Sequence, residues 1–271
     1  MTASEFQTHI RAWYRHHGRH GLPWRKTRDP YRILVSEVML QQTQVSRVLR
    51  KYPEFLRAFP DMPALARAPL AKILNVWQGM GYNRRAVYLK RLATAVVRDY
   101  GGEIPSDPAV LRRLPGIGPA TAGAIGVFAF RKRVAFLETN IRRVYILFFF
   151  KRRRRVKDRE ILHEIQRTLP GRSIHQWYWA LMDYGALALK HVENPNRRSA
   201  GYATQPAFTG SRRELRGQIL AAVVHDGPRS INALQHALTP TTARDAFRAI
   251  IRQMAREGLI AASDKRVLIP R

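Results

Sequence analysis

Apolar residues recur every three to four positions along most of this chain, the spacing of one buried stripe on an α-helix. The N-terminal stretch MTASEFQTHIRAWYRHHG reads as an amphipathic helix. Asp29-Pro30 places a capping side chain before a proline at the first helical position, and predicts a helix through about Gln44. Further helices are predicted over 46–58, 70–77 and 82–99, the last closed by Gly101-Gly102. Ser106 is positioned to cap a short helix over Pro108 to Arg113. LPGIGPATAGAIGVFAF then reads as a tight glycine-rich turn entering a helix of small residues. Helices follow near 139–150, 157–168 and 174–190, with Ser173 as the cap of the last. At 191–210 the pattern gives way to prolines, glycines and polar residues, a linker or extended docking arm. Beyond it, helical periodicity returns over 212–224, 231–237 and 241–257, and GLIAASDKRVLIP reads as two short strands around a polar turn. Three helices and a two-stranded wing make a winged-helix-like module, so the fold class is all-α with a small winged appendage.

Charge changes this picture. The 271 residues hold 48 Lys and Arg against 19 Asp and Glu, a formal net charge of +29. The surplus runs along the whole chain, as on a protein that meets a polyanion, with nucleic acid favoured over anionic membrane. No apolar stretch is long enough to span a bilayer, and the N-terminus lacks a signal-peptide pattern. There are no cysteines, which excludes disulfides, thiolate chemistry and cysteine-ligated clusters. A cytoplasmic, nucleoid-associated location is expected.

Candidate chemistry lies at three places. In LPGIG, Leu114 to Gly118, the glycines let backbone N–H groups face outward where a helix begins, an arrangement suited to phosphate. The plain alternative is an ordinary helix–turn–helix connection. One helix and a short loop later comes LETNIRRV, with Glu138 either a reagent or an acid placed at a helix start for its dipole. Upstream, SEVMLQQTQV supplies Glu37, which helical spacing aligns with Gln41 and Gln44 on one face; its plain reading is an exposed surface acid. Two carboxylates from distant segments beside gripped DNA fit cleavage of an N-glycosidic bond, one protonating the departing base and the other facing the oxocarbenium-like sugar. Arg142 and Arg143, and Arg153 and Arg154 within the run Lys151 to Arg155, are expected to follow the phosphate backbone. His16, His17, His20 and His175 make no convincing metal set, and Trp177, Tyr178 and Trp179 read as core.

LPWR at 22–25, PYRILVSEVMLQQTQV, GMGYNRRAVYL, LPGIGPATAGAI and ETNIRRV, in that order and spacing, resemble the MutY-type adenine DNA glycosylases of the endonuclease III-like helix-hairpin-helix superfamily. The resemblance covers about residues 8–190. It implies an all-helical fold of two subdomains, one over 25–133 and the other joining 1–24 to 134–200, followed by a 201–210 linker and the 211–271 module. It implies that Glu37 is the general acid at adenine N7, that Glu138 stands where the family carries a catalytic Asp, and that Asn140 lies beside it. Gln41 is expected at the DNA, and Gln42 and Tyr82 where the family pushes side chains into the duplex while the target nucleotide is flipped out. Leu114, Gly116, Ile117 and Gly118 form the backbone-gripping hairpin.

Departures from the pattern sharpen the expectation. Glu138 is one methylene longer than Asp. Ala120 stands where bifunctional relatives carry a Schiff-base lysine, so a monofunctional enzyme is expected. The cluster-binding cysteines are absent, leaving no cofactor, and Arg197, Arg198 and the Tyr202 region are expected to pack as a basic replacement for the cluster loop. The C-terminal module resembles no 8-oxoguanine-reading domain. The expected activity is removal of a mispaired base, adenine first, by a monomer acting on double-stranded DNA. The alternatives are removal of thymine, uracil or an oxidised or alkylated base, and a non-catalytic damage-binding protein.

Overall fold

The computed structural model describes residues 1–239, 244–263 and 265–270. In chain order the helices are α1 (Ala3–His17), α2 (Pro30–Leu40), α3 (Val45–Ala58), α4 (Met62–Arg67), α5 (Leu70–Trp77), α6 (Arg84–Tyr100) and α7 (Pro108–Leu111). They continue with α8 (Pro119–Phe128), α9 (Thr139–Phe149), α10 (Asp158–Thr168) and α11 (Ile174–Asp183), then α12 (Arg212–Asp226), α13 (Ile231–Leu238) and α14 (Arg244–Arg256). The strands are β1 (Arg229–Ser230), β2 (Ala261–Ala262) and β3 (Arg266–Leu268). No helix among the described residues is long and apolar enough to cross a membrane.

The chain packs as two compact units. The first is Met1–Glu37, Pro105–Arg113 and Ile117–Thr204; the second is Val38–Ile104, Leu114–Gly116 and the described residues from Gln205 onward. In the first unit, Phe6 and Ile10 of α1 pack with Val144 and Tyr145 of α9, Ile161 and Ile165 of α10 and Trp177 and Leu181 of α11. The Phe6 ring meets Tyr145 and Trp177 edge-on, at centroid distances of 5.4 Å. Helix α8 is made of small residues because it packs closely: a Cβ on Gly123 would overlap the Phe136 side chain, and one on Gly126 would press on Pro108. In the second unit, Val48, Tyr52 and Phe55 of α3, Ile73 and Trp77 of α5, and Leu89, Ala93 and Val96 of α6 are buried. Helix α12 packs on α5, with His225 hydrogen-bonded to Gln78 at 2.8 Å. Glu257, just past α14, is held by Arg216 of α12 and approached by Arg84 of α6 at 3.7 Å.

Several elements differ from their expected bounds. Helix α2 stops at Leu40 instead of continuing to about Gln44, because Gln42 takes a left-handed backbone (φ 52°) and another side chain claims the terminal carbonyls. Gln41 and Gln44 therefore do not share a helical face with Glu37; Gln44 instead stands at the N-cap position of α3, without a side-chain capping bond. Helix α4 is too short for periodicity to reveal; Asp61 caps it through the Ala64 N–H at 2.7 Å. Asp107, not Ser106, caps α7, since Pro108 holds the first helical position. Ser173 is left-handed (φ 55°) and makes no side-chain cap, and the helix it precedes gives way after Asp183 to a π-helical turn, Tyr184–Ala188. The C-terminal sheet has three antiparallel strands in the order β1-β3-β2, where two were expected. The expected start of the last helix at Thr241 and the turn residue Asp264 lie outside the described residues.

Candidate active site

Glu138 is the N-cap of α9. One carboxylate oxygen accepts from the Ile141 N–H at 2.7 Å and the other from the Asn140 side-chain amide at 3.2 Å. The plain role of an acid at a helix start is thus real, and the extra methylene is absorbed by folding the carboxylate back onto the helix end. The segment delivering it is irregular, and Tyr178 pins it. The Tyr178 hydroxyl accepts from the Phe136 N–H at 3.1 Å and donates to the Val134 carbonyl at 2.9 Å. The Tyr178 ring stacks on Phe136 at 4.1 Å, while Gly123 leaves room for Phe136 from the other side. Tyr178 read from sequence as core packing only; its backbone contacts have no periodic signature.

Glu37, on the third turn of α2, lies in the same unit and within electrostatic reach of Glu138. Burial, and next the charge of Glu138, push its carboxyl up to about 8, against the pull of the Arg25 guanidinium. Burial also raises Glu138, but the Asn140 and Ile141 N–H groups, the Asn140 side chain and Arg142 all favour its charged form. One carboxyl thus holds a proton at neutral pH, while its neighbour is surrounded by groups that stabilise an anion. Arg25 is itself fixed by Asp183, which is buried and accepts from Arg25 at 2.7 and 2.9 Å and from the Arg19 backbone N–H at 2.7 Å. Despite its burial, these arginines hold Asp183 below the ordinary carboxylate range. Nothing in MDYGALALK marks Asp183 as an acid whose partner lies 158 residues away.

Asn140 is locked from beneath. A Cβ on Gly185 would come within 2.8 Å of the Asn140 carbonyl carbon, so only glycine lets the π-helical turn pass there. Arg143 donates to the carbonyls of Gly185 at 2.7 Å and Leu189 at 2.5 Å. Arg142 forms a two-pronged pair with Asp158, and Arg153 pairs with Glu160. Of the four arginines expected along the phosphates, Arg143 is therefore engaged in holding the fold, while Arg154 is exposed in the loop after α9.

In the hairpin, Leu114 and Ile117 are buried and anchor the turn, so these two side chains face the interior. Gly116 is required twice over: its φ is 78°, and a Cβ there would strike Tyr88. Gly118 begins α8 with no side-chain cap, an ordinary φ of −88° and open space around it. The irregular, Gly-hinged turn Leu114–Gly118 between α7 and α8, followed by an acid that caps the next helix, is the arrangement expected of the superfamily. The profile of the HhH-GPD superfamily of base excision DNA repair proteins matches residues 35–170. The chain belongs to that superfamily.

Among similar HhH-GPD proteins, an adenine DNA glycosylase of Buchnera aphidicola is 37% identical over 69% of this chain and 54% of its own length. A thymine/uracil-DNA glycosylase of Pyrobaculum aerophilum is 36% identical, over 62% of this chain and 74% of its own. A solved thermostable thymine-DNA glycosylase superposes with a TM-score of 0.62 at 28% identity, covering 68% of this chain and 86% of that one. The chain spans about half the length of the adenine glycosylase it matches.

In this HhH-GPD protein the 191–204 segment lies where the resemblance implies a cluster loop in other members. With no cysteine in the sequence, the donor set for an iron–sulfur cluster does not exist. Polar side chains tie the segment to both ends of α9 instead. Buried Asn196 donates to the Thr139 carbonyl at 3.1 Å, and Arg198 donates to the Phe150 and Lys151 carbonyls, both at 2.8 Å. Backbone bonds between Val156 and the 198–200 stretch complete the attachment. Arg197 and Tyr202 lie nearer the surface, Arg197 beside Glu193.

In the second unit, Gln42 and Tyr82 are both exposed with left-handed backbones, φ 52° and 47°. A single buried side chain holds both loops in those conformations. Arg85 donates to the carbonyls of Val38, Met39 and Gln41 at 2.6–2.9 Å, to those of Met80 and Gly81 at 3.0–3.1 Å, and to the Thr43 hydroxyl at 3.0 Å. Burial lowers its pKa only to about 10, so it stays cationic. Arg85 lies within GMGYNRRAVYL, where no local signal marks it, since a buried arginine looks like any other in a basic chain.

Proposed function

We propose that the chain is a monofunctional DNA glycosylase that hydrolyses the N-glycosidic bond of a mispaired base, adenine first, in double-stranded DNA. The observation carrying this reading is the pair of carboxyls in contrasting environments, Glu37 protonated near neutrality and Glu138 surrounded by donors. In the proposed reaction Glu37 gives its proton to adenine N7. The C1′–N9 bond breaks, its electron pair leaves with the base, and Glu138 faces the cation developing on the sugar. Water then adds at C1′ and surrenders its proton to Glu37, which restores the starting state. Asn140 orients the Glu138 carboxylate, and Asp183 acts through Arg25 to hold its guanidinium within range of Glu37. Gln42 and Tyr82 would fill the space left by the flipped nucleotide, with the hairpin backbone and exposed arginines holding phosphates. The partition expected from sequence, 25–133 against 1–24 with 134–200 and then a winged-helix-like 211–271, is proposed as the division of labour on DNA. The protein is proposed to act as a monomer.

A pyrimidine reading is favoured by the thymine/uracil relative and the thymine-glycosylase fold match. The two separate by chemistry, because a pyrimidine has no N7 for Glu37 to protonate. A panel of duplexes carrying A, T, U or 8-oxoguanine in defined mispairs, assayed for free base with the wild type and with Glu138→Gln, tests the proposal. Adenine release that vanishes in Glu138→Gln while duplex affinity persists is the expected result. Undiminished release by that variant would overturn the mechanism.

A further inference from the structure

The loop between the first unit and α12 returns to the two side chains read above as entering the duplex. Gln205 Nε2 donates to Gln42 Oε1 at 3.1 Å, and Gln205 Oε1 accepts from the Tyr82 hydroxyl at 2.8 Å. Arg213, in the first turn of α12, donates to the same Gln205 oxygen at 3.0 Å and to the carbonyl of Pro206 at 2.6 Å. All of these residues belong to the second unit.

This network has a direction, and Arg213 sets it. A guanidinium can only donate, so the Gln205 atom facing it must be the amide oxygen. The Gln205 amino group then faces Gln42, and what it meets there must be an acceptor, the Gln42 oxygen. That leaves the Gln42 amino group, with two N–H donors, pointing away from the network. An otherwise free glutamine can turn either end of its amide to a base edge; here one end is already taken. Guanine and thymine present a carbonyl oxygen on the major-groove edge, where adenine and cytosine present an amine.

We propose that Gln205 and Arg213 are specificity-determining residues: they fix the polarity of Gln42 so that it offers donors to the base left unpaired in the duplex, and so selects a base whose major-groove edge bears a carbonyl in place of an amine. The inference rests on the reading of Gln42 and Tyr82 as the side chains that enter the duplex. It assigns to the C-terminal region of this chain a part in choosing the partner base, through the loop that leads into it.

The test is equilibrium binding to duplexes that hold a tetrahydrofuran abasic analogue, so that no base needs to be released. Opposite the analogue stands either guanine or 2,6-diaminopurine, or else thymine or 5-methylcytosine, two pairs in which an amine replaces the carbonyl. The wild type should bind the carbonyl member of each pair about tenfold more tightly, the scale of one good base contact. Arg213→Met frees the Gln205 amide to turn and should bring both ratios close to one. Gln205→Glu keeps an acceptor for Tyr82 and Arg213 but presents Gln42 with an acceptor as well. It should flip the Gln42 amide and invert the preference toward the amines, which loss of packing alone would not do. Ratios of one for the wild type, or wild-type ratios in both variants, would overturn the inference. Base release by a wild type that shows no preference would sink this inference alone; a clear preference without release of any base would sink the glycosylase reading and leave the specificity inference standing.

Discussion

Replacing Glu37 by Gln should stabilise this protein, by an amount that depends on pH. The folded state holds the Glu37 carboxyl at about 8, against an ordinary value of 4.5. Between those values the folded chain binds a proton that the unfolded chain has released, so stability falls as pH rises through the window. Each unit of difference is worth about 1.4 kcal/mol, which makes the penalty about 3 kcal/mol at pH 7 and about 5 kcal/mol above pH 8. These are upper bounds, since Glu37 keeps some contact with solvent. Glutamine has nearly the same shape and no proton to lose, so the variant escapes the penalty. Urea unfolding of both proteins at pH 4.5, 7 and 8.5 reads the effect directly. The midpoints should nearly coincide at pH 4.5, and the variant should gain steadily above it, while base release collapses. A gain of equal size at every pH, or a loss that grows with pH, would refute the assignment of a protonated carboxyl to this position.

The same two carboxyls predict a bell-shaped rate for base release: activity rises as Glu138 ionises, from above the ordinary 4.5, and falls as Glu37 loses its proton near 8. Single-turnover rates against pH would show it, and a flat alkaline limb would contradict the acid role. In the hairpin, Gly116→Ala should weaken binding to all duplexes and lower stability, since it meets both a left-handed φ of 78° and the Tyr88 side chain. Gly118→Ala, in open space, should leave stability unchanged and affect DNA affinity alone; equal melting shifts in the two variants would contradict this distinction. Arg85→Met should cost on the order of 3–5 kcal/mol, because it leaves several buried acceptors without donors, and Arg85→Lys should not rescue it. Full rescue by lysine, measured by urea unfolding, would argue against a multi-acceptor role. With Ala120 in place of an amine, borohydride should trap little protein on abasic DNA, and strand breaks should wait for alkali.

Gly185 and Asp183 show where sequence reasoning runs out. Both lie in a stretch that reads as a plain helix, yet one makes room for the Asn140 backbone and the other anchors Arg25 from across the chain. Arg85, Gln205 and Arg213 likewise lack any local signal, because their partners are carbonyls and amides brought near only by folding. What the sequence by itself determined was the local part: helices with their caps and breakers, the glycine-hinged turn, the absence of cluster ligands and the two acids at recognisable spacing. Periodicity, capping and backbone sterics act over a few residues, and so they are legible in order along the chain. The tertiary structure alone decided that α2 stops at Leu40, that the Glu138 carboxylate folds back to cap α9, and that burial raises the Glu37 carboxyl to about 8. Those outcomes depend on which groups from distant segments surround a side chain and exclude water from it, and burial and charge at a point in space have no address in the sequence.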